Sequence, residues 1–417
     1  MPASKLISLD VAIRNIKSNF KKISNEDVFL QNSLGRCLAE PIYSKIDNPK
    51  YDVSSMDGYA INFKDFTELN SKNNSKKAIN FKVIGESSAG NPFEKKIKNF
   101  EAVRIFTGAK VPRGCDVVII QENVHPSSDQ KYISTQSNVI KYQNIRKKGL
   151  DFKKGECIFN IGSLIKSRHL GSIAMTGQTW LTVTRKPVVS ILSTGNEILR
   201  VGEQLTKDQI PSGNNLMLAA MVTQFGGIPR ILPIADDNED SIYNILNKAL
   251  DSDLIVTTGG VSVGKYDLIQ KALQNFEGKS QNEFWKIAMR PGKPLLFSIV
   301  DNTPVIGLPG NPVSSGVCSL IFVNVAIRSM LGITEKYPIF EKITLDGILP
   351  VNDERMDFVR AKINIEDGNL LATPINKQDS SMITQFSYSD CLIVRDPFEG
   401  VKNTGEIVKI LRFPNNI

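Results

Sequence analysis

Val256-Thr257-Thr258-Gly259-Gly260-Val261-Ser262-Val263-Gly264-Lys265-Tyr266-Asp267, VTTGGVSVGKYD, is the stretch on which the fold turns. Gly259, Gly264 and Lys265 match the spacing of a Walker A phosphate loop, but Tyr266 stands where that loop needs a short hydroxyl to ligate Mg²⁺. A phenol cannot replace it. The stretch before the glycines, Asp253-Leu254-Ile255-Val256, reads as a strand, and a helix opens near Tyr266, an arrangement that aims backbone N–H groups at an anion. The loop is therefore an anion loop, but not a P-loop.

Outward from this turn the chain alternates: strand 188–192, helix 215–225, strand 230–234, helix 242–250, strand 254–257, helix. That rhythm predicts a parallel sheet with right-handed crossovers and ligands beyond the carboxyl ends of the strands. Polar groups gather there, in Ser193-Thr194-Gly195-Asn196-Glu197 and Ala235-Asp236-Asp237-Asn238. Glu197, Asp236 and Asp267 each follow a strand of this sheet and can converge as hard oxygen donors for a divalent cation; taken singly, each also reads as a helix cap or turn acid. Farther on, Trp285-Lys286-Ile287-Ala288-Met289-Arg290-Pro291-Gly292-Lys293-Pro294 places three cations within eight residues. Its two prolines and glycine favour a preorganised anion clamp over a mobile charged face. A second proline-glycine turn follows, Gly307-Leu308-Pro309-Gly310-Asn311-Pro312-Val313-Ser314-Ser315. Carboxylates for a metal facing lysines and amide N–H groups describe phosphate-ester or pyrophosphate chemistry.

The 417 residues suffice for several domains, roughly two to four. An excess of 51 Lys and Arg over 43 Asp and Glu gives +8, which suits anionic ligands; because it is spread along the chain, no nucleic-acid arm is expected. Five cysteines without a C-x-x-C argue against a disulfide framework or zinc ribbon and for a reducing cytoplasm. The N-terminus lacks an apolar signal core, and the apolar stretch at 317–327 is short and interrupted by Asn324, so a soluble protein without a membrane span is expected. His125 and His169 have no cysteine placed for covalent catalysis, and no G-x-G-x-x-G follows the first strand. Leu9, Ala12, Ile13, Ile16, Phe20 and Ile23 form a helical stripe for packing or dimerisation. Short runs between Cys37 and Ile161 predict small β modules, with residues 70–77 an exposed polar loop; beyond Gly332 a further small β domain is expected.

These motifs together resemble the molybdopterin molybdenumtransferases, or molybdenum insertases, related to the C-terminal module of gephyrin. The likeness runs through Ser55-Met56-Asp57-Gly58-Tyr59-Ala60, Arg104-Ile105-Phe106-Thr107-Gly108-Ala109, Ser193 to Glu197, the opening loop, the Lys293 loop and Gly307 to Ser314. It implies a multidomain fold: a discontinuous linker domain (1–50 and 140–182), an inserted β-rich domain (51–139), a three-layer molybdopterin-binding α/β domain (183–332) and a C-terminal β-barrel-like domain (333–417). It also implies a homodimer. The implied activity is Mg²⁺-dependent hydrolysis of adenylated molybdopterin coupled to molybdate insertion, giving molybdenum cofactor and AMP. Contacts with molybdopterin adenylyltransferase and molybdoenzymes are conceivable on the same ground. Carried over by position, the acidic set is Asp57, Asp151, Glu197, Asp236 and Asp267 with Thr107, of which Glu197 and Asp236 are the expected metal ligands. The basic set is Lys286, Arg290 and Lys293. Binding contacts are Gly259, Gly260, Ser262, Asn214, Pro309, Pro312, Ser314 and Ser380, with an arginine at Arg355 or Arg360. Arg290 stands where many members have Lys, Asn196 where Asp is usual, and Asp379 where Gly is common. Two other readings remain: a non-catalytic pterin-binding scaffold of the same fold, and a paralogue acting on another nucleotide-linked substrate.

Overall fold

The computed structural model describes residues 6–72, 78–136, 138–260, 268–276 and 280–414. Segments between residues 188 and 308 pair into a six-stranded sheet in the order Ile228–Ile231, Val188–Ser193, Leu254–Thr258, Thr303–Leu308, Pro294–Val300, Ser280–Lys286. The first four strands are parallel and the last two extend the sheet antiparallel. Leu254–Thr258 is buried along its whole length, as a strand covered on both faces must be. Asn214–Phe225 and the run Pro312–Leu331 pack one face, Glu239–Asn247 and Leu268–Gln274 the other. The expected three-layer α/β/α unit is thus present.

Two boundaries moved for identifiable reasons. The helix expected from 242 begins at Glu239, because the Asn238 side chain accepts the Ser241 N–H at 2.8 Å and caps it. The strand expected at 230–234 is Ile228–Ile231; beyond it Leu232 N still donates to the Ile191 carbonyl at 2.9 Å, and the chain rejoins the sheet at a bridge between Ala235 and Thr194.

Pro312–Leu331 is long and apolar enough to cross a membrane, but 89% of its apolar window is buried inside the protein, as in a core helix. It is continuous through a π-helical segment, Ser319–Val323, and so is longer than the apolar stretch suggested. Against it packs the N-terminal helix Leu9–Asn19, with Leu9, Ala12, Ile13 and Ile16 buried and the Phe20 ring 6.2 Å from Phe297. The amphipathic stripe is therefore a packing face, not a free surface for a second copy. Its partner lies some 300 residues downstream, beyond the reach of local pattern.

Asn25–Phe29 and Trp180–Thr184 pair as an antiparallel ribbon, so the chain departs and returns at one place. Between them lies a second six-stranded sheet, with Gly58–Ile61 between Val117–Ile120 and Glu101–Ile105. This unit also holds a helix, Phe63–Lys72, which burial of Phe66 anchors. The helix takes up the start of the polar stretch expected to be a loop; residues 73–77 lie outside the described residues.

The C-terminal strands Glu341–Leu345, Asn369–Pro374, Met356–Glu366, Cys391–Arg395 and Ile407–Arg412 pair in a ring, a closed five-stranded barrel. One further pairing ties the barrel to the α/β unit: Met289–Arg290 runs parallel to Met356–Asp357. The Lys293 loop is therefore anchored on both units.

Candidate functional site

At the carboxyl edge of the α/β sheet the glycines explain the opening motif. Gly259 and Gly260 both have left-handed backbones, at φ 89° and 66°. A side chain on Gly259 would lie 2.7 Å from the Thr194 carbonyl oxygen. Asn214, at the start of its helix, donates to Thr258 Oγ1 at 3.1 Å and to the Gly310 carbonyl at 2.7 Å. It ties the glycine loop to the second turn. Thr258 Oγ1 in turn reaches the Pro309 carbonyl, and Pro312 begins the next helix at a position that needs no N–H donor. Ser262 and Asp267 lie outside the described residues.

Two strands along the same edge, Glu197 and Asp236 follow neighbouring strand ends joined by the Thr194–Ala235 bridge and a 3.3 Å bond from Gly195 N to the Ala235 carbonyl. The Glu197 carboxylate folds over Gly195, where a Cβ would meet its oxygens at 2.5 and 2.7 Å. Only glycine there leaves room for it. Both carboxylates are exposed, and among the described residues neither has a hydrogen-bond or ion-pair partner. Asn196, in the usual Asp position, instead makes a reciprocal pair with Asp237: its N–H donates to the Asp237 carboxylate at 3.3 Å and its Oδ1 accepts the Asp237 N–H at 3.0 Å. A cavity of about 470 Å³ opens here, with Asp236 in its wall.

A larger cavity, about 720 Å³, lies between the α/β unit and the barrel. Arg290, Lys293, Ser314, Arg355, Arg360 and Ser380 all line it. Lys293 reaches it from a loop held by a 2.8 Å bond from Ile287 N to its own carbonyl, and Gly292 presses so closely on Cys318 that a Cβ would lie 2.4 Å from the sulfur. Among the described residues the Lys293 ammonium has no acceptor. Ser380 is delivered by the barrel onto the Pro312 helix: Val313 N donates to its carbonyl at 3.1 Å and Asn311 Nδ2 to its Oγ at 3.0 Å. The Asp379 carboxylate turns back onto Ser381, whose N–H and hydroxyl hold its pKa below the usual range. It therefore does not take up Ser380.

The two candidate arginines differ in employment. Arg360 is 1% exposed and holds the Ser380 loop, donating to Gln378 Oε1, the Lys377 carbonyl and the Met382 carbonyl at 3.1–3.3 Å. Arg355 is paired with Asp353 at 2.6 Å. Arg290 meets Asp353 at 3.2 Å and also Asp357. These acids were not singled out from the sequence, although the charged cluster Asp353-Glu354-Arg355-Met356-Asp357 ahead of a strand was a visible signal. Lys286 ends its strand outside both cavities, its carbonyl accepting Ile7 N.

The remaining acids are held elsewhere. Asp57 Oδ1 accepts the Thr107 N–H at 2.7 Å and its hydroxyl at 2.8 Å, which hold the Asp57 pKa down. Asp151 accepts Asn48 Nδ2 at 2.9 Å. Neither cavity is lined by Asp57, Thr107 or Asp151.

Three family models cover the chain in order: "MoeA N-terminal region (domain I and II)" at residues 7–177, "Probable molybdopterin binding domain" at 190–329, and "MoeA C-terminal region (domain IV)" at 344–413. The molybdopterin molybdenumtransferase of Haemophilus influenzae is 34% identical over 92% of this chain and 93% of its own length. The chain belongs to the molybdopterin molybdenumtransferase family. The Bacillus subtilis family member is 31% identical over 97% of this chain and 94% of its own length. The crystal structure of a molybdopterin biosynthesis protein from Pyrococcus horikoshii superposes with a TM-score of 0.84 at 27% identity, covering 98% of this chain and all of that one.

Proposed function

We propose that this chain inserts molybdate into adenylated molybdopterin, releasing AMP and molybdenum cofactor. The observation that carries the reading is the larger cavity, where Lys293, unpaired among the described residues, converges with Ser314 and Ser380 from two units beside Arg290, Arg355 and Arg360. Such a constellation suits a compact tetrahedral oxyanion. The smaller cavity, two strands away along the same edge, carries the uncommitted Asp236 carboxylate, with Glu197 on the neighbouring strand end, for the nucleotide end of the substrate.

Among the described residues no cluster of three metal-binding side chains exists. Two free carboxylates nevertheless fit Mg²⁺, which keeps several waters and is held by one or two carboxylates plus substrate phosphates. Glu197 and Asp236 would hold it, and it would neutralise charge on the phosphates there. The glycine loop and Asn214 position the substrate, Pro309 and Pro312 shape the second turn, and Lys293 with the serines orients the oxyanion.

Asp57, Thr107 and Asp151 belong to this reading only across an interface, which motivates the proposal of a homodimer. Exposed Phe29 and Trp180, stacked edge to face at 5.5 Å, offer apolar surface on the same linker that holds Asp151. Sedimentation is expected to give a dimer at micromolar concentration; a monomer removes those three residues from the site. A cytoplasmic location, the linker and inserted-domain boundaries given above, and transient contact with the enzymes before and after this step belong to the same proposal.

The test is direct. Purified protein given adenylated molybdopterin is expected to release AMP only when molybdate and Mg²⁺ are both present. Tight pterin binding without AMP release would favour the scaffold instead.

A further inference from the structure

Arg290 belongs to the α/β unit, yet its guanidinium faces the barrel. Nη1 lies 3.2 Å from Asp353 Oδ2, and Nη2 meets Asp357 and, at 3.4 Å, Asn352 Oδ1. Asp353 Oδ2 simultaneously accepts Arg355 Nη2 at 2.6 Å, so one carboxylate oxygen bridges two arginines of the larger cavity's lining, Arg290 from the α/β unit and Arg355 from the barrel side. The backbone repeats the link: Met289–Arg290 pairs with Met356–Asp357, and Met356 N donates to the Ala288 carbonyl at 2.9 Å. Asn352 seats the acidic turn by donating to the Arg355 and Asp396 carbonyls, both at 2.8 Å. A planar fork reaches two carboxylates at once; an ammonium on a flexible stem does not hold both in one geometry.

We infer that Arg290 and Asp353 are positioning residues, a latch that fixes the spacing between the Lys293 wall and the Arg355 wall of the cavity. The inference rests on the reading of this cavity as an oxyanion site. Asp353 is kept ionised by the Arg355 guanidinium, its pKa lowered to about 2, so the latch stays charged across the working pH range. The network adds no net charge, two arginines meeting two aspartates. Its contribution to anion binding is therefore geometric. Its pairs are also partly exposed, Arg290 45% and Asp353 40%, and such pairs stabilise a fold little.

That gives a test whose sign separates geometry from charge. Asp353→Asn removes a negative charge beside an anion site and keeps an Oδ1 for the Arg355 N–H; charge alone predicts tighter molybdate binding. The latch predicts weaker binding, by about five-fold in calorimetric titration with molybdate. Arg290→Lys keeps the charge and loses the fork, so charge alone predicts no change and the latch predicts about three-fold weakening. Equal or tighter binding in both variants overturns the latch. Absence of saturable molybdate binding by the wild type overturns the cavity reading instead. Amide exchange then decides the latch by itself: Ile287 and Met356, whose N–H groups close the Lys293 and Ala288 carbonyl bonds, should exchange several-fold faster in Asp353→Asn. Unchanged protection there refutes it.

Discussion

With Lys293 replaced by alanine, half-maximal cofactor formation is expected to need roughly ten-fold more molybdate, or beyond. A hydrogen bond to a charged group contributes about 1.5–3 kcal/mol, and each 1.4 kcal/mol is a factor of ten. The upper part of that range applies when the donor is preorganised. Lys293 meets this condition: the Ile287 bond to its carbonyl, the close contact of Gly292 with Cys318, and the strand pairing at Met289–Arg290 hold its backbone on three sides. Its ammonium has no acceptor among the described residues, so no partner must be displaced before an anion binds. Because the residue is exposed, truncation should leave thermal stability within about 0.5 kcal/mol of wild type. Arg290→Lys should be milder, since it preserves the charge. Titrating molybdate against wild type and Lys293→Ala decides the matter, and an unchanged half-saturation point would return Lys293 to the role of a surface residue beside a turn.

The parts of the site legible in the sequence are those that a short motif encodes. Two glycines at a strand end, the stiffened Lys293 loop and acids at neighbouring strand ends all follow from local backbone demands. That Glu197 and Asp236 share one edge follows from the alternation of strands and helices, which puts the carboxyl ends of parallel strands together; that their strands are neighbours comes from the sheet order. Other features depend on partners distant in the chain. Nothing near Arg290 announces Asp353 and Asp357, some sixty residues later, or the two-residue strand that brings them together. The stripe from Leu9 reads equally well as a dimer face or a packing face until the Pro312–Leu331 run is seen to cover it. Helix Phe63–Lys72 was hidden for another reason. Its buried side is Phe66 and the charged Asp65, which accepts the Phe100 N–H, with Phe63 and Leu69 packed nearby, and the Asn and Ser residues that follow carry the composition of a loop.

Substituting Glu197 or Asp236 by alanine is expected to lower turnover about a hundred-fold while leaving the fold intact. On the proposed reading each supplies a hard oxygen to Mg²⁺, so its removal weakens that site, and electrostatic stabilisation of the reacting phosphates amounts to several kcal/mol, each 1.36 kcal/mol being ten-fold in rate. Loss of about 3 kcal/mol gives the stated factor. Stability should hardly change, because both carboxylates are exposed and uncommitted among the described residues. The two positions are not equivalent. Asp236 lies in the wall of the smaller cavity, on a turn whose own N–H is satisfied by Ser241 Oγ at 3.2 Å, so alanine there removes the carboxylate and nothing else. Glu197 is folded over Gly195, and its loss also frees a backbone that sits at φ 146°. Raising Mg²⁺ should therefore restore Asp236→Ala more completely than Glu197→Ala, since occupancy is all that the first lacks. If both variants keep wild-type turnover and the same Mg²⁺ requirement, the two acids are turn residues and the metal is held elsewhere.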